Sequence, residues 1–539
     1  MTTADPLPLG LLLPILLYAE VHYRFPFLPF SRYYRREPEV LADVPFRIDP
    51  DESLPLLILV KDAHRFPVHF ETATVTITDS HENRKEREII KDVFLDMPWW
   101  YEIVPLDMEG FAGECTINVV LRYRRGTRRK TCVNHNVRGS GHPPLSVYAS
   151  STPLPGKQSG WHWGDLHCHT WVTEDFVEFG APLDATREAA RAAGLSFLGI
   201  TDHSYDIDDL PGSWKETDPR LTKWHRIRSE IETLNGKGPP VLIPGEELST
   251  ENCRGKNVHT LILNHPEFIP GSGDGGEQWF SRQTEHRIRD LEGMLHPDAL
   301  AIAAHPRSPF SRAQQLFLNR GIWEKDDFDA PGISGFEVLN GSVEPGFHDG
   351  LHHWIETLLK GRKTFIYAGN DAHGNFNRFR QIKTPNISIW DHQNHVLGKC
   401  RTGVRLSGPP SLPGLMSSLK SGKCVISNGP LITLTARSTT SSATLGESIF
   451  SPQINIDIEM ESTPEFGELF EARVYWGDLE KGEERVVSEM SLKGTGFQGR
   501  QAVETGVGEG RGYLRGELTS RRGDGDRFFC YTNPIWVNP

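Results

Sequence analysis

Cysteine is scarce: the 539 residues hold seven, Cys115, Cys132, Cys168, Cys253, Cys400, Cys424 and Cys530, with no Cys-x-x-Cys pair. An odd, scattered set argues against a disulfide framework and a cysteine-held structural zinc, and it favours a reducing compartment, the cytoplasm. Positive charge is also in deficit, 58 basic against 71 acidic residues for a formal charge of −13, so broad binding to nucleic acid is not expected. The basic run Arg124-Arg125-Gly126-Thr127-Arg128-Arg129-Lys130 reads as a solvated hairpin turn. Long apolar runs are missing too. Leu7 to Ala19 comes nearest, but Pro8 and Pro14 interrupt it and no Lys or Arg precedes it. It is too short to span a bilayer and lacks the charged start of a signal peptide, so a buried first strand and no membrane partner are expected. There is no Gly-x-Ser-x-Gly element and no phosphate-cradling loop, which weighs against covalent serine hydrolysis and nucleotide-dependent transfer.

What is present is ordinary globular composition, 37% apolar and 24% charged, with 38 prolines and 51 glycines to make many turns. The length exceeds one core and suggests about three domains. Residues 1–157 carry short alternating runs such as Val68–Thr78 and Cys115–Tyr123, which predict a β-sandwich. The linker Ser150–Gly156 closes this zone. Over 158–390 strand-like and helical runs alternate, the pattern of βα units. Strands return over 398–539, including Phe470–Trp476 and the closing Phe528–Val537, and predict a second sandwich. Fourteen of the 22 histidines fall between His162 and His373, so metal chemistry is sought in the centre.

The centre opens on Gly164-Asp165-Leu166-His167-Cys168-His169-Thr170. In an extended strand residues i and i+2 share a face, so His167 and His169 can reach one metal ion while Cys168 points away. By composition roughly one His-x-His pair arises by chance, so context decides. Pro182 to Ala193 predicts a helix, stopped by Gly194. Leu195–Ile200 then predicts a strand running into Thr201-Asp202-His203. The arrangement repeats: Val241–Ile243 leads to Glu246-Glu247, Ala299–Ala304 to His305-Pro306, Ile333–Val338 to Leu339-Asn340, and Thr364–Ala368 to Gly369-Asn370-Asp371-Ala372-His373. Singly, His203 or His305 reads as a satisfied histidine near a strand end, and Glu247 as a capping or surface carboxylate. Five strand ends finishing in such side chains are hard to explain as packing, and in parallel βα architectures that face carries function. Imidazole mixed with carboxylate suits Zn, Mn or Fe better than Ca.

Asp165–Thr170, Ile200–His203, Gly245–Glu247, Val258-His259, Ala304–Pro306 and Asn370–His373, in that order, resemble the motif series of the polymerase and histidinol phosphatase (PHP) superfamily over about residues 160–385. The flanking zones resemble the larger PHP metallohydrolases related to carbaryl hydrolase. This resemblance implies an α/β fold, a distorted (βα)7 PHP barrel flanked by the two β-sandwich domains, with two or three divalent metal ions. It implies that His167, His169, Glu247 and Asp371 hold a first ion, that Glu247, His259 and His305 hold a second with Glu247 bridging, and that His203 and His373 help hold a third. Where the family supplies a further ligand from a Ser-Asp-Gly element, this chain reads Thr173-Glu174-Asp175, so Glu174 or Asp175 takes that place. The activity implied is a metal-dependent phosphoesterase with a metal-bridged hydroxide as nucleophile, with Glu247 and Asp371 catalytic and a small-molecule phosphoester as substrate. The same cluster also suits ester, carbamate or amide hydrolysis, and a non-catalytic, metal-stabilised binding protein is the alternative outside catalysis. Arg307, two residues past His305, is placed to meet an anionic substrate oxygen, or is a loop arginine; Asn340 at a strand end is placed to orient substrate.

Overall fold

The computed structural model describes residues 36–538 apart from 138–140, 174–179, 274–281, 311, 344, 384–387 and 506–509. The expected first strand at Leu7–Ala19 lies outside the described residues, as do Glu174 and Asp175. Among the described residues no helix is long and apolar enough to cross a membrane. All seven cysteines are free. The chain divides into two compact units: residues up to Ser151 with Thr170–Ala193 and Ala372–Leu397 in one, and Thr152–His169, Gly194–Asp371 and the remainder from Gly398 in the other.

In the first unit, alternating side chains build two sheets around one core. Strands Glu39–Asp43, Leu54–Lys61 and Trp99–Leu106 form a three-stranded sheet. Arg47–Ile48, Leu145–Ala149, Gly113–Arg125, Val68–Asp79 and Arg84–Leu95 pair in that order, with Arg128–Val133 added on Gly113–Arg125. Leu54, Leu56, Ile58 and Val60, every second residue of one strand, join Phe70, Val75, Ile117, Val119 and Leu121 in the buried core. The opposite face of that strand is buried as well, against the helix Leu183–Ala192. The basic run is the expected hairpin: Arg125 pairs with Arg128, and Gly126 at φ 56 makes the tight turn.

The second unit corrects the expected fold. Its hydrogen-bonded ladder runs Phe365–Gly369, Gly335–Asn340, Leu300–Ala303, Asn257–Leu263, Val241–Glu251, Phe197–Ile200, Trp161–His169, and then continues through Arg401–Arg405, Cys424–Ser427, Arg527–Thr532, Gly512–Arg521, Glu468–Asp478 and Glu483–Ser491. A (βα)7 barrel is therefore not what forms among the described residues: strand makes up 45% and helix 14%, and the C-terminal strands extend the central sheet. The reason is local. Val241–Glu251 turns through Asn252–Lys256 straight into Asn257–Leu263, an antiparallel hairpin where a crossover helix was expected. The next pair, with Leu300–Ala303, is antiparallel too. Parallel pairing survives between Trp161–His169, Phe197–Ile200 and Val241–Glu251, and again between Leu300–Ala303, Gly335–Asn340 and Phe365–Gly369. A four-stranded sheet of Ser442–Thr444, Leu431–Arg437, Ile454–Glu461 and Gln498–Thr505 accompanies the C-terminal strands.

Phe365–Gly369 ends the ladder, and an open edge must satisfy its backbone. Side chains do this. Ile366 donates its N–H to Asn533 Oδ1 at 2.8 Å and accepts from Asn533 Nδ2 at 3.1 Å. Ala368 donates to Thr402 Oγ1 at 2.9 Å, and its carbonyl accepts from the same hydroxyl at 3.0 Å. Two side chains thus replace a neighbouring strand where the sheet approaches the candidate site.

Candidate metal centre

Strand geometry brings the ligating residue types together. His167 and His169 lie two apart at the end of Trp161–His169 and are wholly buried. The intervening Cys168 thiol turns to the Gly199 carbonyl at 3.2 Å. Glu247, also without exposure, sits opposite Leu261 in the hairpin, and His259 sits two residues from Leu261. Glu247 and His259 are therefore diagonal neighbours on one face. His203, just past Phe197–Ile200, bridges to Glu247 through the backbone.

The two remaining positions use uncommon backbone. His305 has φ 29 and Asp371 φ 50, each just beyond a strand. Left-handed backbone is unusual for residues other than glycine and is held only where surrounding structure imposes it. In both cases the turn directs a ligating side chain into the cluster.

Five imidazoles meet the Glu247 carboxylate. On Oε2 stand His167 Nε2 at 3.2 Å, His169 Nε2 at 3.3 Å and His203 Nδ1 at 3.0 Å. On Oε1 stand His305 Nε2 at 3.2 Å and His259 Nδ1. Asp371 Oδ1 lies 3.1 Å from His169 Nε2 and 3.4 Å from His167 Nε2. Within the second unit two sets have all their ligand atoms within 4.8 Å of one another: His167, His169, Glu247 and Asp371, and His203, Glu247 and His259. The facing nitrogens of His167 and His169 are 3.2 Å apart, and Glu247 Oε2 has no hydrogen bond of acceptable geometry despite three imidazole nitrogens around it. Donor atoms gathered this closely, in a set of imidazole and carboxylate, fit a divalent ion such as Zn, Mn or Fe.

Charge within the cluster is strongly coupled. Burial works against an ionised Glu247, yet His259, His167 and His203 hold its carboxyl well below the usual range. Burial also opposes charge on His167, but Glu337, Glu247 and Asp371 outweigh it and hold the imidazole well above its ordinary value. Burial likewise opposes charge on His169, which the adjoining Asp371 and Glu247 carboxylates push up to about 9. Burial pushes His203 down to about 4 against the pull of Glu247.

His373 belongs to the first unit, buried on the strand Ala372–His373. Arg307 is committed within the protein: its Nε donates to Asp349 at 2.5 Å and its Nη1 to the Trp323 carbonyl at 2.8 Å. Asn340 is buried at the end of Gly335–Asn340, and its Oδ1 accepts no hydrogen bond. Reading the sequence missed Glu337. It accepts from His167 Nδ1 at 2.9 Å and from the His305 backbone N–H at 3.1 Å, both at Oε2. Its signal was an acid inside the apolar run Gly335-Phe336-Glu337-Val338-Leu339.

No family model matches the chain, and no curated protein matches it. Among solved structures it is similar to a glycosyl hydrolase family 2 member from Bacteroides cellulosilyticus, at 11% identity, 93% of this chain, 62% of that one and a TM-score of 0.15. A putative beta-galactosidase from Bacteroides fragilis gives 9% identity, 93% and 73% coverage and a TM-score of 0.19. The beta-glucuronidase of Parabacteroides merdae gives 9%, 93%, 63% and 0.17. The chain thus spans about two thirds of the length of these proteins, and likeness at this level transfers neither fold nor activity. The expected PHP membership does not hold: no family model supports the assignment, and the described strands do not form the (βα)7 barrel. The phosphoesterase reading that rested on it falls with it.

Proposed function

We propose that this chain is a metal-dependent hydrolase of carboxylic esters, carbamates or amides, working in the cytoplasm on a small-molecule substrate. One observation carries the reading: five imidazoles converge on the single buried carboxylate of Glu247. A carboxylate that only stabilised the fold would accept a few hydrogen bonds and would not gather five imidazole nitrogens around it.

His167, His169, Glu247 and Asp371 would hold one divalent ion and His203, Glu247 and His259 a second, with Glu247 common to both sets and His305 beside its Oε1. Bound there, such ions supply Lewis acidity towards a carbonyl and lower the pKa of water. The chain's own residues do the rest. Glu247 fixes the spacing of the imidazoles, and burial excludes bulk water from them. Asp371 keeps a quarter of its side-chain surface exposed, against none for Glu247, and so is the acid placed to take a proton from incoming water. Because Arg307 is bound to Asp349, substrate orientation falls to Asn340.

The test is metal content of the purified protein, followed by a panel of aryl esters, carbamates and anilides with Zn or Mn, beside phosphomonoesters and aryl glycosides. Metal uptake and turnover of an acyl substrate, both lost in Glu247→Gln with the circular dichroism spectrum retained, are expected. A protein that takes up neither ion, or a variant that keeps wild-type turnover, overturns the reading.

A further inference from the structure

We propose that Glu337 is a positioning residue that sets the separation of two metal-holding imidazoles through one carboxylate oxygen. This inference rests on the function proposed above. Glu337 lies inside the buried strand Gly335–Asn340, with no exposed surface. Its Oε2 faces two partners from different strands, His167 Nδ1 at 2.9 Å and the backbone N–H of His305 at 3.1 Å. Where Glu337 Oε2 accepts from His167 Nδ1, the His167 proton sits on Nδ1, which leaves the Nε2 lone pair to face the cluster beside Glu247 Oε2. The same oxygen pins the backbone of His305 at its left-handed φ of 29, and that turn is what brings His305 Nε2 to Glu247 Oε1. The two rings stack, with centroids 5.8 Å apart and planes 16° from parallel. One atom of Glu337 therefore orients the imidazole serving each oxygen of Glu247.

Two further observations show that this carboxylate is placed for orientation and not for packing. Its second oxygen, Oε1, is buried without a hydrogen-bond partner. Gly369 stands directly behind it: a Cβ there would come within 2.4 Å of Oε1 and 2.6 Å of His167 Cβ. Space has been kept for the carboxylate at the cost of a side chain on the neighbouring strand.

The experiment compares full-length wild type with Glu337→Gln by zinc competition, by the visible spectrum of the cobalt-substituted protein and by the melting temperature of the metal-free form. The amide keeps the shape but loses the charge, and its NH2 cannot accept from His167 or His305, so the pull on the His167 proton is weakened. Affinity is expected to fall about 10–100-fold, as for outer partners of ligating histidines, with an altered cobalt spectrum and an unchanged metal-free melting temperature. Glu337→Asp, which keeps charge and loses reach, serves as second variant should the amide fail to fold, and the same loss is expected. Wild-type affinity and spectrum in a folded variant would overturn the role of Glu337 while leaving the metal site standing. Failure of the wild type itself to bind zinc or cobalt would overturn both.

Discussion

At the scale of residues, the centre is crowded beyond what hydrogen bonding needs. An ionised carboxylate offers about four lone-pair sites, and Glu247 is faced by five imidazoles. Asp371 offers a clean test because its φ of 50 lies in a region that Asp and Asn both tolerate. Asp371→Asn should keep the backbone turn and remove one charged ligand. Metal affinity, measured by competition, is expected to fall by at least about the 10–100-fold caused by losing an outer partner. Asp208 gives a pH dependence away from the cluster. Burial, helped by Glu285, pushes its carboxyl from 3.8 up to about 7. Its folded value lies above its unfolded one, so the folded state favours the neutral form; nothing is lost below 3.8, and stability declines as pH rises towards about 7. Asp208→Asn should flatten that decline in urea-unfolding series run across this range, and an unchanged slope would refute the assignment.

At the scale of elements, the site depends on strands that approach closely and end in turns. Gly199 permits one such approach: a Cβ there would meet the Leu166 carbonyl oxygen at 2.4 Å. Gly199→Ala is expected to cost about 1–3 kcal/mol in denaturant unfolding by forcing Phe197–Ile200 away from Trp161–His169. Asn533 is the counterpart at the sheet edge, where it pairs with both backbone groups of Ile366 and with the Cys424 carbonyl. Asn533→Ala leaves these buried groups unmet, with an expected loss of about 1–3 kcal/mol for each orphaned group, read from the same unfolding curves. Much at this scale was legible. The run before Asp202-His203, the acids after Val241–Ile243 and the turn at Gly126 all follow from alternation, burial and glycine placement. Strand direction was not. Asn252–Lys256 has the length of a hairpin, but apolar runs on either side look the same whether the chain returns directly or crosses over.

At the scale of the whole chain, the candidate ligands span His167 to Asp371, so a bound ion would tie distant sequence together in the native state alone. Metal should therefore stabilise by mass action. About 2.7 kcal/mol is expected for one independent site at a free metal concentration one hundred times its Kd, seen as a higher melting temperature with Zn or Mn and a reversal on chelation. Indifference to both treatments would contradict the proposed centre. The sequence by itself marked most of the residues that gather around Glu247, because imidazoles and acids at strand ends stand out by type and by the periodicity of the apolar runs before them. It also determined that strands dominate both flanks. Only the tertiary structure decided how those strands pair, that the central sheet continues into the C-terminal strands, and that Glu337 stands behind His167 and His305. The physical reason is that a side chain's identity is a local property, whereas register, strand direction and the partner of a buried carboxylate are fixed by contacts between residues far apart in the chain.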